Sequence, residues 1–254
     1  MLIALTRAVP PSIARCELTH LERQPIDVTR AAAQHAAYEA ALAALGCAVR
    51  RLPAEPELPD SVFVEDAAVV TDEVAVIARP GAASRRAETG SVAAALQPYR
   101  PLRAIVPPGT LDGGDVLRVG RRVFVGRSAR TNAEGALQLR RLLAPFGYAV
   151  ECVEARGCLH LKTAVTAVAD DLLLLNPSWV DAGALGGMRW MAVDPAEPYA
   201  ANVLRIGDAL VASAAFPRTR ERLKALGLRV VSVNVSELAK AEAGVTCCSI
   251  LVTS

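Results

Sequence analysis

The sequence predicts an α/β fold: a propeller of five ββαβ units with pseudo-fivefold symmetry, one domain over residues 1–254. Three observations carry this expectation. Two distant stretches nearly repeat each other, Asp115-Val-Leu-Arg-Val-Gly120 and Asn202-Val-Leu-Arg-Ile-Gly207. The order strand, turn, strand, helix, strand recurs along the chain, at about 50 residues per unit, a period expected of repeat architectures. The unit at the N-terminus lacks its first strand, and the C-terminus holds a spare one.

Taken in order, Leu2 to Thr6 reads as a strand. Asp27 to Leu45 reads as a helix, with Asp27 as its cap and Gly46 as its stop. Cys47 to Leu52 is the next strand. A hairpin follows, Ala67 to Val70 and Val74 to Ala78, turning at Thr71-Asp-Glu. A helix from about Ser84 to Leu96 and a strand at Leu102 to Val106 complete that unit. The next has strands at Asp115 to Gly120 and Val123 to Gly126, a helix around Leu137 to Leu143, and a strand at Tyr148 to Val153. Leu161 to Val168 and Leu172 to Leu175 form a further hairpin, followed by a weaker helix and strand. Asn202 to Gly207, Ala209 to Ala212, the helix Thr219 to Leu226 and the strand Leu228 to Val233 repeat the plan. Cys247 to Val252 is the spare strand. Joining it to the N-terminal unit closes the ring and removes the open edge.

Composition narrows the function. Apolar residues make up 52% and charged residues 21%, a globular balance. Net charge is +2 with no block of like charges, so neither nucleic acid nor a membrane surface is an expected partner. Met1 to Leu5 is too short for a signal peptide, and no apolar stretch has transmembrane length, so the cytoplasm is expected. The six cysteines are irregularly spaced and read mostly as small buried hydrophobes. Cys152, Cys158 and His160 lack a nearby fourth ligand, and no metal is expected.

The polar residues fall at equivalent places. Glu65 and Asp66, Asp112-Gly-Gly-Asp115, His160, Asn202 and Cys247 each open the first strand of a unit. In a closed ring such positions converge near one end of the axis. A lone Asp before a strand is ordinarily a turn residue, and Cys247-Cys248 could be core. Their coincidence is what points to nucleophilic catalysis by a cysteine with a histidine and carboxylates.

Thr110-Leu-Asp-Gly-Gly-Asp-Val116, Arg130-Thr-Asn132, Leu159-His-Leu-Lys162 and Thr246-Cys-Cys-Ser249 resemble the dimethylarginine dimethylaminohydrolases. So do Cys16-Glu-Leu-Thr-His20 and Phe63-Val-Glu-Asp66, and the matches run in family order over nearly the whole chain. The resemblance implies the pentein fold, a five-bladed ββαβ propeller. It implies Cys247 as nucleophile, His160 as general acid/base and Asp112 as the carboxylate orienting it. It implies Asp66 and Glu65 at the guanidinium end, Asp60 and the Leu18 carbonyl at the α-amino end, Arg85 and Arg130 at the α-carboxylate, and the Ala241 carbonyl as a further contact. Expected are hydrolysis of methylated arginine to citrulline and an amine, no cofactor, a small-molecule partner, and a homodimer as a possible assembly. A guanidinium is a resonance-stabilised cation, and carboxylates can hold its planar carbon toward a sulfur. The stretch Cys16 to Gln24 reads as a lid loop. Two alternatives stay open: an arginine deiminase or other amidino-group enzyme, and a non-catalytic binding protein such as the ribosome anti-association factor that shares the propeller.

Overall fold

A computed structural model describes residues 1–254. The chain begins with β1 (Leu2–Arg7), α1 (Val28–Ala44) and β2 (Ala48–Leu52). The second unit is β3 (Ala68–Val70), β4 (Ala75–Ile77), α2 (Thr89–Leu96) and β5 (Leu102–Ala104). The third is β6 (Val116–Val119), β7 (Arg122–Arg127), α3 (Ala133–Leu143) and β8 (Ala149–Glu154). The fourth is α4 (Leu161–Ala164), β9 (Val165–Ala167), β10 (Leu172–Leu175) and β11 (Arg189–Ala192). The fifth is β12 (Val203–Ile206), β13 (Ala209–Ser213), α5 (Pro217–Ala225) and β14 (Arg229–Val233), after which α6 (Ser236–Ala239) leads to β15 (Ile250–Thr253).

These strands form five three-stranded sheets: β15-β1-β2, β3-β4-β5, β6-β7-β8, β9-β10-β11 and β12-β13-β14. In each, the first strand runs antiparallel to the middle one and the last runs parallel to it. A parallel step needs a crossover, and the helix supplies it. The expected ring closure is present: β15 pairs with β1 in the register Leu5↔Ile250 to Leu2↔Thr253. The near-duplicate segments match in structure as well. Gly120 and Gly207 turn their hairpins at φ +58° and +59°, a conformation that glycine adopts without a Cβ penalty.

Local chemistry sets the helix ends. Asp27 accepts the Arg30 N–H at 3.0 Å and caps α1, as expected, and Asn132 caps α3 by accepting from Gly135 at 2.8 Å. Pro217 at the first turn of α5 gives up an N–H that had no helical partner there. Apolar side chains gather in five clusters, one at each junction between neighbouring sheets. Between β15-β1-β2 and β3-β4-β5, for example, lie Ile3, Leu5, Ala75, Ile77, Ile250 and Val252.

Three expectations move by part of an element. The helix from Ser84 starts as a 3-10 segment, Ala83–Glu88, before α2. Three residues per turn put Arg85 and Glu88 on one face, where they pair. The strand from Leu161 starts as α4 because Asp115 Oδ1 accepts the Leu161 N–H at 2.9 Å and holds that turn. The strand from Cys247 starts only at Ile250: Ser249 N–H returns to the Thr246 carbonyl, so Cys247 sits in a turn. The weak helix of the fourth unit is a 3-10 turn, Ala182–Leu185.

Candidate active site

The five inner strands surround an axial cavity of about 510 Å³, with Val70, Val119, Ala167, Leu204 and Leu251 on its wall. Its inner end is closed by side chains. Lys162 Nζ donates to Glu65 Oε1 at 2.7 Å and to the Gly113 carbonyl at 3.1 Å. Thr246 Oγ1 donates to Glu65 Oε2 at 2.7 Å. Asn202 ties this floor together: its Nδ2 donates to the Lys162 carbonyl and to Thr246 Oγ1, and its Oδ1 accepts the Thr246 N–H. Both oxygens of Glu65 are therefore engaged by protein groups.

The polar residues gather one turn before the first strands. Glu65 and Asp66 lie in the 3-10 turn Val64–Ala67, and Asp112 precedes the turn Gly113–Asp115. His160 precedes α4, and Cys247 lies in the turn before β15. His160 Nε2 is 3.1 Å from Asp112 Oδ2, and His160 Nδ1 is 3.7 Å from Asp66 Oδ1. All three residues are buried. The glycines of Asp112-Gly-Gly-Asp115 make the approach possible. A Cβ on Gly114 would stand 2.5 Å from His160 Nδ1 and 2.8 Å from Asp66 Oδ1, and one on Gly113 would strike the Glu65 carbonyl.

Asp66 is the hub. Its Oδ1 accepts the Gly114 N–H at 2.9 Å, and its Oδ2 accepts from Arg85 Nη1 at 2.7 Å. Burial raises its pKa, but His160 and Arg85 outweigh that and hold it at about 2. Burial likewise pulls His160 down, yet Asp66 and the hydrogen bond to Asp112 lift it to about 9. His160 is thus an imidazolium at neutral pH. Cys247 is raised as well: burial, then Glu65 and Asp66, push its thiol up to about 12, while the Gly244 N–H at 3.4 Å eases it slightly. At neutral pH the site holds a protonated histidine and a protonated cysteine.

Around this centre, Asp112 accepts the Gly81 N–H at 2.9 Å and has its own N–H held by Thr131 Oγ1. Arg85 is almost fully committed to protein. Its Nε and Nη2 reach Glu88 at 2.9 to 3.3 Å, and Nη2 also approaches the carbonyls of Asp60 and Phe63. Arg130 is freer: Nη2 donates to Thr19 Oγ1 at 3.1 Å, and Nη1 is buried without a protein partner. Asp60 is buried, its pKa raised by that burial, and its Oδ2 accepts the Glu17 N–H at 3.0 Å. Leu18 follows in the same loop, half-buried against the core, and Ala241 is buried beside α6. Ligand atoms of Asp66, Asp112 and His160 lie within 4.8 Å of one another, a spacing that a metal ion could bridge.

Eight of the ten candidate residues thus share one hydrogen-bonded constellation, and Leu18 and Ala241 lie on the neighbouring segments. Outside the expected set, Asp115, Thr131, Lys162, Asn202 and Thr246 hold it in shape. Four of these five lie inside the quoted motifs, and Asn202 opens a repeat, so the signal for them was positional. Glu88, the partner of Arg85, was outside the expected set too, although its i,i+3 spacing on the expected helix is a local signal for the pair.

The arginine deiminase family model matches residues 55–200. The chain is 43% identical over 248 residues to the N(G),N(G)-dimethylarginine dimethylaminohydrolase of Streptomyces coelicolor, covering 97% of this chain and 95% of that protein. It is 38% identical to the Pseudomonas aeruginosa protein of the same name, covering 88% and 89%. A cysteine-to-serine variant from Pseudomonas aeruginosa, solved with citrulline, superposes with a TM-score of 0.94 at 35% identity over 98% of each chain. The N-terminal domain of ArgZ, a cyanobacterial arginine dihydrolase, shares the fold with a TM-score of 0.86 at 18% identity, covering 100% of this chain and 99% of that one.

Proposed function

Because the chain belongs to the dimethylarginine dimethylaminohydrolase family, we propose that it hydrolyses Nω-methylated L-arginine to L-citrulline and methylamine or dimethylamine. One observation carries this reading: a single carboxylate, Asp66, acts on both the His160 imidazolium and the Cys247 thiol. Burial keeps the thiol protonated, helped by the charges of Glu65 and Asp66, and a guanidinium bound beside Asp66 offsets those charges. The cation of the substrate itself then favours the Cys247 thiolate, whose proton passes to solvent.

The thiolate attacks the guanidinium carbon, forming the C–S bond as a C–N π pair moves onto nitrogen. His160, already protonated, donates its proton to the methylated nitrogen. The C–N bond breaks, the amine departs, and a thiouronium remains on Cys247. Neutral His160 next takes a proton from water, and the hydroxide adds to the same carbon. Collapse breaks the C–S bond, returns the thiolate, releases the hydroxyl proton to solvent and leaves the ureido carbonyl of citrulline. Asp112 keeps the imidazole oriented through both proton transfers.

In this proposal Asp60 and the Leu18 carbonyl receive the α-amino group, and the Ala241 carbonyl makes a further contact. Arg130 and Arg85 face the α-carboxylate, and Glu65 closes the guanidinium end through Lys162. No helix is long and apolar enough to cross a membrane. Six free cysteines suit a reducing compartment, which supports a cytoplasmic setting. The test is product analysis after incubation with monomethyl-, asymmetric dimethyl- and unmodified arginine. Citrulline with methylamine or dimethylamine is expected. Ammonia from free arginine alone would instead assign an arginine deiminase, and no citrulline from any of the three would end the proposal.

A further inference from the structure

The loop Cys16 to Gln24 forms part of the wall of the site, yet little apolar contact holds it. Cys16 roots the loop in the core, Leu18 packs partly on it, and Glu17 and Thr19 to Gln24 are exposed. Beneath its tip lies a cavity of about 240 Å³ bordered by His20, Leu21, Leu159, Tyr199 and Gly244, so packing from below does not fix the tip either. Its position is set by polar contacts. Ser84 Oγ donates to Glu17 Oε1 at 2.6 Å, Glu17 N–H reaches Asp60, and Arg130 reaches Thr19 Oγ1. Asp60 and Arg130 are substrate-facing groups in the proposed function and are drawn toward substrate when it binds. The anchor on the far side is Glu242.

Three consecutive backbone N–H groups, of Thr19, His20 and Leu21, converge on the Glu242 carboxylate. Such a cradle of amides around one anion is a charge-assisted arrangement. Glu242 reaches it from an unusual backbone. Its φ is +59°, and it is the only non-glycine residue in the chain with positive φ. Glycine would adopt that conformation without strain, so the side chain is held at a conformational cost. The Glu242 N–H returns to the Ala239 carbonyl at 3.1 Å, at the end of α6. The same short segment carries Ala241, Gly244 with its N–H on the Cys247 sulfur, and Cys247 itself.

We propose that Glu242 is a positioning residue: its carboxylate latches the loop, and so sets Leu18 and Thr19 for the amino and carboxylate ends of the substrate. The inference rests on the proposed hydrolysis for its kinetic part, and on amide exchange for a part that needs no turnover. Leu18 and Thr19 lie at the amino-acid end, so losing the latch weakens binding more than chemistry.

Glu242→Gly is the decisive variant, because glycine suits φ +59° and removes the carboxylate without straining the fold. Amide exchange at Thr19, His20 and Leu21 should accelerate at least ~10-fold in the substrate-free protein, with Tm preserved. KM for methylated arginine should rise about 10- to 100-fold while kcat changes less, and Glu242→Gln should fall between. Alkylation of Cys247 by iodoacetamide, which needs no amino-acid contacts, should be as fast as in wild type or faster. Unchanged exchange at the three amides, or unchanged KM, overturns the proposal. A Tm loss with slowed alkylation overturns it too, because it marks general damage. Accelerated exchange in a protein that hydrolyses no methylated arginine would keep the latch and discard the proposed function.

Discussion

Cys247 and Cys248 are adjacent but differ in surroundings. Cys248 is fully buried among core residues such as Tyr38 and Leu42, and its sulfur faces the Gly244 carbonyl. Cys247 is partly exposed beside Glu65 and Asp66. Cys247→Ser should abolish turnover, and Cys248→Ser should keep a substantial fraction of it; equal losses in two folded variants would contradict the assignment. Alternation along a strand would separate the two thiols, but both lie in a turn, and burial separates them instead. The arginines also differ. Arg85 gives most of its N–H groups to Glu88, Asp66 and two carbonyls, whereas Arg130 keeps Nη1 without a protein partner. Arg130→Ala should raise KM for methylated arginine about 10- to 100-fold and leave methylated agmatine, which lacks the carboxylate, unaffected. Arg85→Ala should slow both substrates and lower Tm, since removing one partner of a buried pair typically costs about 3–5 kcal/mol. Steady-state kinetics on the two compounds, with a thermal melt, checks both statements. At this scale Cys247 and His160 were legible as candidates, because cysteine and histidine are scarce in this chain and these two stand at repeat-equivalent places. The Glu88 partnership was not read, although Arg85 and Glu88 stand three apart on the expected helix, a spacing that makes side chains neighbours.

The element that organises the site is the helical turn in front of each first strand. The strand pattern was readable from hydrophobic alternation, but the polar residues sit just before pairing begins. There the backbone leaves the ladder and turns the N–H groups of Gly114 and Leu161 toward Asp66 and Asp115. The repeat therefore pointed to residues that the structure brings close together, while misplacing Leu161 and Cys247 on strands. Side chain to backbone bonds across 46 to 48 residues of sequence decide those turns. Gly114 is the tightest point of this arrangement, packed between His160 and Asp66. Gly114→Ala should leave the sheets intact, since the added methyl meets two side-chain ends and not a backbone. It should lower kcat about 100-fold or more by displacing the imidazole from the two carboxylates. Circular dichroism alongside kcat would test this; near wild-type turnover would show that the His160–Asp66 approach is dispensable.

Over the whole molecule, the site's electrostatics set how stability depends on pH. His160 is lifted from 6.5 to about 9 on folding, so the folded state binds more protons between those values. Its stabilisation is complete below pH 6.5 and is lost as pH rises through about 9. The urea midpoint of wild type should fall across that window, and His160→Asn should flatten the fall; an equally steep decline in the variant would place the proton elsewhere. Closure of the ring supplies the other molecular property. Ser254 N–H donates to the Met1 carbonyl at 3.0 Å, and the Met1 amino group donates to Ser254 Oγ at 3.0 Å. Residues 1 and 254 lie together because β15 completes the sheet that β1 and β2 begin. If the five junction clusters hold the ring, the order in which the chain visits the units matters little. A circular permutant joining Ser254 to Met1 through a short glycine linker, opened at the exposed Gly207–Asp208 turn, retains every sheet and every site contact described above. It should fold and keep kcat within about three-fold of wild type. An opening within β15, between Leu251 and Val252, splits the closing strand and leaves β1 as a partly unpaired edge; that permutant should lose stability or aggregate. If both permutants behaved alike, closure by β15 would not be what holds the propeller together.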